Sequence, residues 1–134
     1  MTVFVDSNIP MYVAGREHAN REPALRFLER VRTGKVDACT STEVLQEILY
    51  RYSSLNRLDL AREVYDLFVD ICPVVHSVTL ADTDRARDLL CDMPGVSARD
   101  AVHAAVMLNR DLQWIATFDA GFDALPGIRR LKLA

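Results

Sequence analysis

The chain has 134 residues, 50% apolar and 26% charged, which suffices for one domain spanning residues 1–134 that buries its own core without disulfides. Cys39, Cys72 and Cys91 match no zinc spacing and read as reduced packing thiols; no apolar run approaches a membrane span, and the opening MTVFVD lacks a basic leader, so a cytoplasmic location is expected. The net charge of −3 combines fourteen Arg with only Lys35 and Lys132, and neither a GxxxxGK nor a GxGxxG loop is present, which argues against a P-loop nucleotidase or a dinucleotide enzyme.

Thr2–Val5 is a short apolar, β-branched run and predicts a buried strand ending at Asp6. Ile9–Val13 reads as a helical turn for which Asp6, Ser7 or Asn8 would serve as cap. Pro23–Val31 carries a helical apolar stripe, stopped by Thr33-Gly34. Val36–Thr40 predicts a second strand, followed by a helix opened by Thr40 or Ser41 and running to about Tyr52. Leu58–Ile71 is an amphipathic helix and Pro73–His76 a short strand. Thr79–Cys91 is a helix with Thr79 and Asp82 as a capping box. After the Met93-Pro94-Gly95 break, Ser97–Asn109 is a further helix, Gln113–Thr117 a strand, and Ile128–Leu131 a last strand. Continuously apolar strands alternating with helices predict a three-layer α/β sandwich with a mostly parallel sheet, whose sites lie beyond the carboxyl ends of the strands.

That rule directs attention to acids. Asp6 ends the first strand and is read either as a helix cap or as a metal ligand. Asp119 ends another and is read either as turn chemistry before Gly121 or as a ligand, with Asp123 four residues on able to face the same pocket. Asp100 enters a helix that is apolar nearly all round, so it lies near the core; Ser97 and Asp100 also fit a capping box, and both roles can coexist. Glu43 and Glu47 lie roughly 40° apart on one helix. Glu43 is explained as the partner of a Thr40 capping box, whereas Glu47 flanks the apolar stripe without such a role and is preferred for the site. His103, three residues after Asp100, is read first as a satisfied core histidine, with ligation the lesser alternative.

Taken together these segments resemble a PIN-domain ribonuclease, specifically the VapC-type toxins of toxin–antitoxin pairs. MTVFVDSN (residues 1–8) looks like the opening strand and its aspartate signature, STEVLQEI (41–48) the segment with the second acid, RDAVHAA (99–105) the helix start with the third, and TFDAGF (117–122) the last acidic motif. The resemblance implies that Asp6, Glu47, Asp100 and Asp119 are the catalytic and metal-binding acids, that Mg²⁺ or Mn²⁺ is the cofactor, and that RNA is the substrate. It also implies a homodimer and a small antitoxin partner.

Elementary chemistry agrees with this reading. Converging carboxylates without lysine partners raise one another's pKa, and a hard divalent cation relieves that repulsion through oxygen ligands. Ser7, Asn8, Thr117 and Asp123 suit a supporting layer around the acids. Arg99, Arg51 and Arg85 are candidate phosphate contacts. Three other readings compete. Phosphoaspartyl chemistry lacks its lysine and its neighbouring second acid. A non-catalytic binding module of the same fold, and a PIN nuclease acting in RNA processing outside a toxin–antitoxin system, keep the architecture.

Overall fold

The computed structural model describes residues 1–133. Five strands form one parallel sheet: β1 (Thr2–Val5), β2 (Asp37–Ser41), β3 (Val74–His76), β4 (Trp114–Ala116) and β5 (Arg129–Arg130), in the order β3-β2-β1-β4-β5. Central β1 pairs Phe4 with Cys39 on one side and with Ile115 on the other. Val3, Phe4 and Val5 are fully buried, as expected of a strand covered on both faces.

Six helices flank the sheet in a three-layer α/β sandwich: α1 (Asn8–Ala14), α2 (Arg21–Arg32), α3 (Thr42–Ser54), α4 (Leu58–Ile71), α5 (Leu80–Asp92) and α6 (Ala98–Leu108). Their apolar stripes pack in adjoining pairs, α1 on α2 and α4, α3 on α4 and α6, and α5 on α6. A 3₁₀ turn, Ala120–Ala124, links β4 to β5. Among the described residues, no helix is long and apolar enough to cross a membrane.

Local chemistry sets the element boundaries. Ser41 accepts from the Val44 N–H and starts α3. The Thr40 hydroxyl instead donates to the Val5 carbonyl, tying β2 to the end of β1, so the expected Thr40–Glu43 capping box does not form. Thr79 and Asp82 do form a reciprocal box at α5. At α1, Ser7 holds the cap position without a side-chain bond, and the Asp6 carboxylate caps no interior turn. The cysteine expectation needs one correction. Cys39 and Cys72 are buried, with burial pushing their thiols up to about 11 and about 12, but Cys91 is exposed and packs in no core.

Candidate active site

The carboxyl edge of the sheet gathers side chains from four separate elements. Asp6 follows the last residue of β1 and is only 5% exposed. Its Oδ2 accepts from the Thr117 hydroxyl at 2.7 Å and its Oδ1 from the Ser7 N–H at 2.7 Å. Thr117, just beyond β4, uses its whole hydrogen-bonding capacity here: besides that donation, it accepts from Asn8 Nδ2 at 3.0 Å and from the Asp119 N–H at 3.1 Å. Asn8 completes the brace by accepting from the Phe118 N–H. The Asp-Ser-Asn segment and the Thr-Phe-Asp segment are thus locked together across the β1–β4 seam.

Asp119 caps the 3₁₀ turn, accepting from the Gly121 N–H at 2.8 Å. A Cβ at Gly121 would lie 3.0 Å from Asp119 Oδ1, so glycine leaves room for this side chain. Capping and facing the site coexist, because Asp119 also lines an open cavity of about 560 Å³ with Glu47, Ser97, Ala98, Arg99 and Asp100. Glu43 does not line it. At Asp100 the capping box is half made: Ser97 Oγ accepts from the Asp100 N–H, but the carboxylate returns no bond to the Ser97 N–H. Burial, then the negative charges of Asp119 and Asp6, push the Asp100 carboxyl up to about 6. Burial likewise raises Asp6, against the opposing pull of His103 and of its hydrogen bonds. No lysine or arginine forms an ion pair with any of the four acids among the described residues.

His103 stands beside these acids as the buried, hydrogen-bonded core histidine that its place on the helix suggested. Its side chain is fully buried between the Phe4 and Phe122 rings. Nε2 contacts Glu47 Oε1 and lies 3.8 Å from Asp6 Oδ1. Burial opposes the charged imidazolium, but Glu47, Asp6 and Asp100 outweigh it and raise the His103 pKa. The sequence signal was there: His103 is the sole polar break in an apolar helix, three residues from Asp100.

Asp123 lies elsewhere. It is exposed and accepts two hydrogen bonds from Arg130, at 2.8 and 2.9 Å, so its placement beside Asp119 in one pocket is not what the fold provides. Arg85 likewise donates to Asn109 rather than standing at the cavity.

Donor atoms of Asp6, Glu47 and His103 lie within 4.8 Å of one another, and such a set could hold a metal ion. Two carboxylates and an imidazole, with more acids nearby than the one histidine balances, fit a divalent ion.

The sequence profile of the PIN domain matches residues 3–128. The chain belongs to the PIN-domain family. Within that family, ribonuclease VapC13 of Mycobacterium tuberculosis is 40% identical over 129 residues, covering 96% of this chain and 98% of the relative. The PIN fold recurs in the crystal structure of Mycobacterium tuberculosis VapC20, a Sarcin-Ricin loop cleaving toxin, with TM-score 0.76 and 23% identity over 92% of this chain and 95% of that one. It recurs again in VapBC2 from Rickettsia felis bound to a promoter DNA fragment, with TM-score 0.76 and 15% identity over 98% of both chains.

Proposed function

We propose that this PIN domain, a single nuclease domain over residues 1–134, is the endoribonuclease toxin of a VapBC-type pair. It acts on cytoplasmic RNA, forms a homodimer and is neutralised by a cognate antitoxin. The observation that carries the reading is the gathering of Asp6, Glu47, Asp100 and Asp119 at one sheet edge, four acids against the single imidazole of His103 and no lysine or arginine ion pair among the described residues. A purely structural cluster would be neutralised, because uncompensated buried charge destabilises a fold.

Asp6 and Asp100 would be the central ligands of Mg²⁺ or Mn²⁺, with Glu47 and Asp119 completing the set. When bound, the ion lowers the pKa of a water and stabilises charge developing at the phosphate. The chain's own residues do the rest. Thr117 and Ser7 fix both oxygens of Asp6. His103 holds Glu47 from the buried side. Asp119, the exposed acid at the mouth, orients the attacking water.

The test is cleavage of structured RNA by the purified chain, free of antitoxin, in Mg²⁺, Mn²⁺ and EDTA, with Asp100→Asn prepared in parallel. Metal-dependent cleavage that vanishes in the variant is expected. Cleavage that persists in Asp100→Asn would refute the assignment of the site.

A further inference from the structure

Beside the acids stands an exposed aromatic–guanidinium pair that joins α3 to the start of α6. Tyr50 lies on α3, three residues after Glu47, and is 51% exposed. Arg99 precedes Asp100 and lines the cavity. Its guanidinium sits 4.8 Å from the centre of the Tyr50 ring. Arg99 forms no ion pair among the described residues, although Glu47, Asp100 and Asp119 line the same cavity. Contact with the ring restrains the cation before any ligand arrives.

An acidic cavity repels the RNA backbone, so a substrate needs a holding point at its rim. A free guanidinium supplies attraction for phosphate, and an exposed aromatic–guanidinium step supplies a stacking surface for a base. Bases inside a helix cannot reach such a surface; an unpaired one can. We infer that Tyr50 and Arg99 form a stacking platform that grips one unpaired nucleotide next to the phosphate to be cut, and so confines cleavage to loops and single strands. The inference rests on the ribonuclease reading and names the substrate feature that the same site recognises.

The test compares the parent chain with Tyr50→Ala, Tyr50→Trp, Arg99→Ala and Arg99→Lys. Cleavage is measured in Mn²⁺ and binding in EDTA, on a hairpin RNA, its fully paired duplex, and hairpins with one abasic position scanned through the loop. Tyr50→Ala and Arg99→Ala are expected to raise KM and Kd about tenfold with kcat within about threefold, while Tyr50→Trp retains both. Arg99→Ala also lowers the logarithmic salt dependence of binding by about 0.7, and Arg99→Lys keeps it. One abasic position weakens the parent as much as Tyr50→Ala does, and adds nothing in that variant. Alanine variants that match a cleaving parent, or a duplex cut as well as the hairpin, overturn the platform alone. A parent that binds without cleaving overturns the ribonuclease reading, and the variants' Kd values then decide the platform. A parent that neither binds nor cleaves overturns both.

Discussion

Two buried aspartates in this molecule receive opposite treatment. Asp82 is 1% exposed, and burial alone would raise its pKa. Arg110, the Thr79 N–H and Asn109 outweigh burial and hold it well below the usual carboxylate range. Arg110 also reaches the Val106 and Ser77 carbonyls, so the cluster stitches the start of α5 to the end of α6. Asp6 is almost as buried, yet its neighbours are hydroxyls, an amide, more carboxylates and a histidine, and its pKa is raised. One acid has an arginine and an amide of its own; the other shares a single histidine with further acids, and negative charge is left in excess. The first arrangement is how a fold makes a buried charge stable, and the second is how it keeps a place for an outside charge.

The comparison can be broken most forcefully at Asp82. Asp82→Ala leaves Arg110 without its partner and should destabilise the fold by about 3 kcal/mol or more, read from urea unfolding. Asp6→Asn and Asp100→Asn should do the reverse: RNA cleavage falls on the order of 100-fold or more while the metal-free protein is as stable as the parent or more so. For Asp100 the sign follows from its folded value of about 6 against an ordinary 3.8. Between those values the folded state keeps a proton that the unfolded chain has lost. Metal-free stability therefore falls as pH rises from about 4 to about 6, then levels off. Asp100→Asn removes that slope, a difference of about 1 kcal/mol once screening at this half-exposed carboxyl is allowed for. Thermal unfolding at pH 4.5 and 7.5 checks it.

A third effect is intermediate. Mn²⁺ should raise the melting temperature of the parent at pH 7.5 by mass action, less at pH 5, where binding must displace the Asp100 proton, and least in Asp100→Asn. Equal shifts in all three would place the ion elsewhere. The smallest effect belongs to Asp123→Asn. It loses an exposed pairing with Arg130, worth well under about 1 kcal/mol, and cleavage should stay within about twofold of the parent.

What could be read in the sequence was what is decided within a few residues. Val3–Val5 announced a strand with both faces covered, and the Thr79 and Ser97 caps announced the starts of α5 and α6, because each signal is complete in its own segment. The PIN resemblance was legible for the same reason, as four short motifs in order. What was hidden needed partners far along the chain. Whether Asp6 caps a helix depends on Thr117, and the role of His103 depends on Glu47, 56 positions away. Asp123 misled because spacing from Asp119 suggested a shared pocket, while its actual partner, Arg130, arrives from β5.

The brace between Asp6 and Thr117 joins residues 111 positions apart. During synthesis, Asp6 emerges 111 residues ahead of its hydroxyl donor Thr117, and the last acid of the four, Asp119, follows that donor. A growing chain thus carries the pieces of a nuclease without the means to assemble them. On the proposed activity, the polysome that makes this protein is spared until Thr117 and Asp119 have both emerged.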